Sequence, residues 1–361
     1  MQSKIRILTV VGARPQFIKA ATISRFLKKR KNKIIETIIH TGQHYDKEMS
    51  LNFFKELDIP RPHVNLNVGS GTHAYQTGEI IKRLEKHIKK LKPDLVLVYG
   101  DTNTTLAASI ASSKFSCKLA HIEAGIRSFD NSMPEEINRI ATDRLSDFLF
   151  CPTRSAVHNL RLEGRSKNVV FVGDVMRDSY LYNVNKIKDK NFYSKKFNNN
   201  YILSTIHREA NTNNIKNLKN IFSVLKKISK KIQVIIPLHP RTRKIIKKAK
   251  FKLGNIKILK PVPYLEMLNI LKNASVLITD SGGLQKEAYF SKVPCITVRE
   301  NTEWIETLSR GWNTVSPPNF PIRFYKNILH AIKFNKKNKH ENFFGDGKSA
   351  EKIIDFLIKN L

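Results

Sequence analysis

Acidic side chains are scarce in this chain. Its 361 residues hold 30 Asp and Glu against 64 Lys and Arg, a formal net charge of +34. The basic excess is spread over short runs such as KKRKNK (28–33), KKISKK (226–231), KIIKKAKFK (244–252) and KFNKKNK (333–339). No concentrated basic face, aromatic stacking platform or nucleic-acid reader motif accompanies it, so no nucleic-acid partner is expected. An anionic small substrate is compatible with the charge. Cysteine is also sparse. Cys117, Cys151 and Cys295 lack C-x-x-C spacing, which gives no reason to expect a disulfide framework or a metal, and they read as buried small hydrophobes. No apolar run approaches the ~18–20 residues of a membrane helix, and the N-terminal MQSKIRILTVVG turns into a strand instead of a signal sequence. A cytoplasmic protein without a membrane partner is the expectation. Solenoid repeats are absent. So is a G-x-G-x-x-G after the first strand, which counts against NAD or flavin as a cofactor.

What is present is an alternation of strand-length apolar runs with amphipathic helical segments, the pattern of an α/β protein with parallel sheets. The first half offers IRILTVVG (5–12), KIIETIIHTG (33–42), DLVLVYGD (94–101), KLAHIEAG (118–125), DFLFCPT (147–153) and VVFVGDV (169–175). A polar stretch, NVNKIKDKNFYSKKFNNN (183–200), interrupts the pattern. The alternation resumes with YILSTIHRE (201–209), QVIIPLHP (233–240), NIKILKP (255–261), ASVLITDSGG (274–283) and PCITVRE (294–300). Two Rossmann-like, doubly wound domains follow, over 1–172 and 173–345.

Nearly every strand ends in a small or polar cluster, and ligands of open parallel sheets bind at the carboxyl ends of strands. Two such sheets facing one another would put both sets of clusters on one cleft. In TDSGGLQKEA, Ser281, Gly282 and Gly283 lead from a strand into a helix, where free N–H groups and the helix dipole suit a diphosphate. Glu287, two turns along, is placed to accept hydrogen bonds from ribose hydroxyls. In VVGARPQFIKAA, Pro15 sits early in the first helix, where its missing N–H costs little. Arg14 offers donors to phosphate, with Lys19 five residues on.

The scarce carboxylates gather in one short stretch, EAGIRSFDNSMPEE (123–136). Glu123, Glu135 and Glu136 are therefore either surface charge or the acid and base of a reaction. Glu136 is spaced to pair with Arg139 along a helix, which makes it the structural member. Asp101 is a candidate N-cap for the helix beginning near Thr102. Trp304 and Trp312 read as packing residues.

Taken in order, GARPQFIKAA, TGQHYD, VYGDTNTTLA, HIEAGIRS, MPEEINR, GDVMRDS, HREAN, PLHP, TDSGGLQKEA, RENTEW and FGDGKSAEKI make the chain resemble, over nearly its whole length, the non-hydrolysing UDP-N-acetylglucosamine 2-epimerases and the related UDP-diacetamido-uronate 2-epimerases. The resemblance implies a glycosyltransferase-B-like pair of domains, with a C-terminal helix over 346–361 packing back on the first. It implies epimerisation at C2 of a UDP-sugar, through elimination of UDP to 2-acetamidoglucal and re-addition, with no cofactor and no metal. On matching positions, Asp101, Glu123, Glu135 and His207 would be catalytic. Arg14, His239, Ser281, Gly282, Gly283 and Glu287 would hold UDP. Gln43 and His44 match an allosteric UDP-sugar site, although Asp46 stands where glutamine is usual. Met267 replaces a common aromatic beside the base. A homodimer is implied as well. The uronate epimerases are the alternative on the same mechanism; a hydrolysing epimerase or a glycosyltransferase on the same fold ranks lower.

Overall fold

The computed structural model describes residues 4–42, 57–190, 192–197, 200–238 and 240–361. The chain divides into two compact units, one comprising Met1–Leu181 with Asn342–Leu361, the other Tyr182–Glu341.

The sheet of the first unit has seven strands, β1 (Ile5–Val11), β2 (Ile34–His40), β3 (Val64–Asn65), β4 (Leu95–Tyr99), β5 (Lys118–Ile122), β6 (Phe148–Cys151) and β7 (Val169–Phe171). Their order is β3-β2-β1-β4-β5-β6-β7 and every pairing is parallel. Strands such as LVLVY of β4 are buried along their whole length, as expected where helices cover both faces of a parallel sheet. On one face α2 (His73–Leu91) presents Ile80, Leu84 and Ile88 at intervals of four residues. They pack with α3 (Asn103–Ser112) on Leu8, Val10, Val96 and Val98. Burying each such side chain contributes roughly 1.5–3 kcal/mol.

The sheet of the second unit has six parallel strands, β8 (Tyr201–Thr205), β9 (Gln233–Pro237), β10 (Lys257–Leu259), β11 (Val276–Thr279), β12 (Cys295–Thr297) and β13 (Asn313–Val315). Their order is β10-β9-β8-β11-β12-β13. Alternate residues serve opposite faces. Ile202, Ile236 and Ile278 face Leu218, Phe222 and Phe324, whereas Leu203, Ile235 and Leu277 face Ile270 and Leu271. The two short edge strands β3 and β13 were not anticipated, because VN and NTV, flanked by polar and turn-forming residues, belong to no continuous apolar run; their pairing comes from neighbours already in place.

In each sheet the strand order reverses direction at one point, between β1 and β4 in the first and between β8 and β11 in the second. Such switch points leave a crevice outside the strands' carboxyl ends. Gly12 and Gly100 lie at the first, and Ile206 and Asp280 at the second.

The C-terminal helix α4 (Ser349–Asn360) belongs to the first unit. Phe356 meets the rings of Phe148 and Phe150, each at 5.6 Å between centroids. Ala350 N donates to Asp178 Oδ2 at 2.8 Å. Burial raises the Asp178 carboxyl above its ordinary value. Gly345 has φ +83°, and a Cβ there would lie 2.8 Å from Gly173 Cα, so the returning chain crosses Gly173 only where both residues lack side chains. Among the described residues no helix is long and apolar enough to cross a membrane. All three cysteines are free; Cys151 and Cys295 are buried, while Cys117 is half-buried, a less enclosed position than expected. Burial pushes the Cys295 thiol up to about 12. Trp304 and Trp312 are buried packing residues.

Candidate functional site

The turn after β1 begins at Gly12, where a Cβ would come within 2.1 Å of Thr104 Oγ1 and 2.2 Å of Thr41 Oγ1. Only glycine lets these three turns close on one another. Helix α1 (Arg14–Lys29) follows, with Pro15 in its first turn. Gln16, fully buried, accepts from Gly12 N at 2.8 Å and Ala13 N at 3.0 Å and donates to Tyr99 O and Thr105 Oγ1, both at 2.9 Å. The amides that a Gly-rich dinucleotide loop would offer to phosphate are thus already bonded within the protein. Arg14 is exposed at the helix start, and Lys19 is buried one turn further.

Lys19 Nζ lies 2.6 Å from Glu123 Oε1, with the two side chains only 8% and 10% exposed. Glu123 follows the β5 strand at φ +78°. That conformation costs an ordinary residue about 1–3 kcal/mol and persists only where its surroundings impose it. Here the amides of Glu123 and Ala124 both donate to Phe150 O at 3.1 Å. Gly100 is next to this pair; its missing Cβ would sit 2.9 Å from Lys19 Nζ and 3.5 Å from Glu123 Oε1.

Asp101 follows Gly100. The expected N-cap falls one residue later: Thr102 caps α3, accepting from Thr105 N. The Asp101 carboxylate instead receives Arg139 Nη2 at 2.5 Å, and Asn138 Nδ2 donates to its carbonyl at 2.8 Å. Both residues project from α5 (Pro134–Leu145). Arg139 also donates to Glu136 Oε2 at 2.7 Å, the pairing that the spacing predicts. Glu136 in turn accepts from the amides of Ser128 and Phe129, which fixes the loop ahead of the helix. Glu135, half-buried in the first turn of α5, is carried on that same braced segment.

Beneath these turns lies a buried ionic cluster. His121, on β5, has Nδ1 2.6 Å from Asp143 Oδ1 and Nε2 2.7 Å from the Gly100 carbonyl oxygen. Asp143 Oδ2 accepts from Gly125 N at 3.0 Å and pairs with Arg127 Nη1 at 2.7 Å. Arg127 reaches Glu163 with Nε at 2.6 Å and Nη2 at 2.7 Å. Burial alone would raise the Asp143 carboxyl; the charges and hydrogen bonds of His121 and then Arg127 hold it below its ordinary value.

In the second unit Asp280, completely buried, accepts from the amides of His207 and Arg208 and from Asn211 Nδ2 at 3.0–3.1 Å. His207 Nδ1 lies 3.4 Å from Asp280 Oδ1, with its side chain 42% exposed. Ser281 caps α6 (Gly282–Phe290), its hydroxyl accepting from Leu284 N at 3.4 Å. Gly282 and Gly283 are the first helical residues. Glu287 is buried, and Tyr264 Oη donates to its Oε1 at 2.8 Å. His239, Gln43 and His44 lie outside the described residues, as does Asp46. Among the described residues no group of three His, Cys, Asp or Glu could hold a metal ion.

The structure therefore gathers Lys19, Asp101, Glu123 and the Glu135 turn in the first unit, and His207, Ser281, Gly282, Gly283 and Glu287 in the second. Gln16, His121, Arg127, Asp143 and Asp280 went unrecognised in the sequence. His121 and Asp280 carry one signal, a polar residue inside or just beyond an apolar run, as in KLAHI and VLITD; Gln16, Arg127 and Asp143 carry none.

Residues 27–358 match the family described as UDP-N-acetylglucosamine 2-epimerase. The chain belongs to this family. A UDP-N-acetylglucosamine 2-epimerase homolog of Methanococcus maripaludis is 49% identical, covering 99% of this chain and 100% of the relative. The UDP-2,3-diacetamido-2,3-dideoxy-D-glucuronate 2-epimerase of Pseudomonas aeruginosa is 46% identical, with 98% and 100% covered. Among solved structures, Methanocaldococcus jannaschii UDP-GlcNAc 2-epimerase in complex with UDP-GlcNAc and UDP aligns with a TM-score of 0.90 at 41% identity, over 98% of this chain and 100% of that one. This epimerase thus shares its pair of Rossmann-like domains with that family, at identities that also place it among the family's enzymes.

Proposed function

We propose that this epimerase interconverts UDP-N-acetylglucosamine and UDP-N-acetylmannosamine. The C2 proton is removed as the C1–O bond to UDP breaks, giving 2-acetamidoglucal and UDP. Protonation at C2 from the opposite face and return of UDP oxygen to C1 complete the reaction, which is balanced without a cofactor. The observation that carries this reading is the convergence of Asp101 and Glu123 on adjacent turns, each held by a cation, Arg139 at 2.5 Å and Lys19 at 2.6 Å. Asp101, Glu123 and Glu135 supply the acid and base functions at C2, where positioned proton transfer contributes about 10²–10⁴-fold. His207 and the amides at Gly282 and Gly283 stabilise the departing diphosphate, Glu287 accepts from the ribose hydroxyls, and Arg14 adds charge on the phosphates. His239, Gln43 and His44 keep the UDP-binding and allosteric roles that the family resemblance implies. The enzyme acts in the cytoplasm as a homodimer on a UDP-sugar.

The diacetamido-glucuronate is a second reading, favoured by the Pseudomonas relative at 46% identity. Incubation with each UDP-sugar alone in deuterated water, followed by NMR, tests both. The expected result is the C2 epimer carrying solvent deuterium at C2, with turnover falling by about 10²–10⁴-fold in Asp101→Asn, Glu123→Gln and Glu135→Gln. Product without deuterium, or three fully active variants, would refute the mechanism. Release of free sugar would instead identify a hydrolase.

A further inference from the structure

We propose that His121 is a positioning residue for the epimerisation: held as an imidazolium, it fixes the two turns that carry Asp101 and Glu123. This rests on the reading of those carboxylates given above. The first step is the count of donors. Nε2 lies 2.7 Å from the carbonyl oxygen of Gly100, an atom that can only accept. Nδ1 lies 2.6 Å from Asp143 Oδ1, while Gly125 N and Arg127 Nη1 both donate to the other oxygen. A carboxyl paired with a guanidinium and holding a second donor, the Gly125 amide, is ionised and also only accepts. A neutral ring carries one N–H, so it would turn a lone pair onto one of these oxygens at hydrogen-bond distance. With both nitrogens protonated, every one of these contacts is a donor facing an acceptor.

The second step is charge. His121 and Asp143 are 0% and 1% exposed, and an unpaired charge at that depth would cost several kcal/mol. A charged ring here is not unpaired: Asp143 lies against it at 2.6 Å, and Arg127, which shares Asp143, has Glu163 as its second carboxylate.

The third step is where the bonds lead. Gly100 immediately precedes Asp101, and Gly125 lies two residues after Glu123. The path from the Gly100 carbonyl through the ring and Asp143 to the Gly125 amide therefore ties the end of β4 to the end of β5. It does so behind the reacting groups, touching none of them, while Glu123 is held at φ +78°. A displacement of about 1 Å at such groups costs on the order of 10²-fold in rate.

Isotope labelling of the histidine ring nitrogens in the full chain, with the His121 signal assigned through contacts to its β5 neighbours, reads the proton count without any mutation. Two protonated nitrogens at neutral pH are expected; one bare nitrogen overturns the proposal. His121→Gln offers a single donating amide in place of two. In the folded variant kcat should fall on the order of 10²-fold, while affinity for UDP stays at the wild-type value. A folded His121→Gln enzyme turning over at the wild-type rate sinks the positioning role alone. Wild-type enzyme that turns over neither UDP-sugar sinks the functional reading itself.

Discussion

Replacing Lys19 by methionine keeps most of the apolar stem and removes the cation 2.6 Å from Glu123. At an effective dielectric constant of about 20, that separation corresponds to an attraction of about 6 kcal/mol. Most of it is offset by the desolvation of two nearly buried ions, so the intact pair contributes little net stability. Removing one partner is different, because the carboxylate keeps its desolvation cost without this attraction; such changes typically cost about 3–5 kcal/mol. Proton uptake sets a ceiling. A buried carboxyl of ordinary pKa about 4.3 is neutralised for about 4 kcal/mol at pH 7 and about 1.5 kcal/mol near pH 5.5. In Lys19→Met the folded state gains a raised carboxyl, so stability is lost as pH rises. The penalty should thus more than halve between neutral and mildly acidic solution, and Lys19→Met/Glu123→Gln should recover much of it. Both tryptophans, Trp304 and Trp312, lie in the second unit. Urea unfolding is therefore best followed by far-ultraviolet circular dichroism, which sees the first unit as well. An equal penalty at both pH values, or no recovery in the double variant, would show that the loss is packing around the lysine stem and that the electrostatic reasoning is wrong.

Glu287→Gln removes a charged acceptor while leaving α6 and the Tyr264 contact possible, so UDP affinity should fall by at least roughly tenfold; calorimetry showing unchanged affinity in a folded variant would take Glu287 out of the site. Asp143, whose carboxyl is held below its ordinary 3.8, releases its proton more readily in the folded chain than in the unfolded one. Its contribution is present in full above 3.8 and is lost as pH falls towards the folded value. Acid titration of Asp143→Asn should accordingly show a shallower loss of stability below pH 4 than wild type, and identical slopes would contradict the assignment.

The sheets and their strand-end clusters were legible because buried parallel strands read as continuous apolar runs, as in LVLVY. Glu136 was legible as structural because its partner Arg139 is three residues away on one helix. The deeper parts of the site were not, since their partners are remote in the chain. Gln16 bonds Tyr99, His121 meets Asp143, and Asp280 holds His207. No local period connects such residues. The cap that Asp101 could have supplied falls to Thr102 for a local reason: Thr102 is equally suited to the task, and Arg139, from another helix, takes the Asp101 carboxylate. Glu123 offered no warning of its left-handed backbone, which the Phe150 carbonyl on the adjoining strand enforces.

The first unit is assembled from both ends of the sequence, with the whole of the second spelled out in between. During synthesis the segment through Leu181 emerges ahead of 182–341, as more N-terminal segments do, yet the rings of Phe148 and Phe150 have no Phe356 to cover them until the helix Ser349–Asn360 leaves the ribosome. Tyr182–Glu341 is by then complete. A nascent chain therefore carries an unfinished carboxylate-bearing unit for the time taken to translate 182–341, and a frameshift or stop within the codons for Ser349–Asn360 would damage a unit whose strands were translated long before.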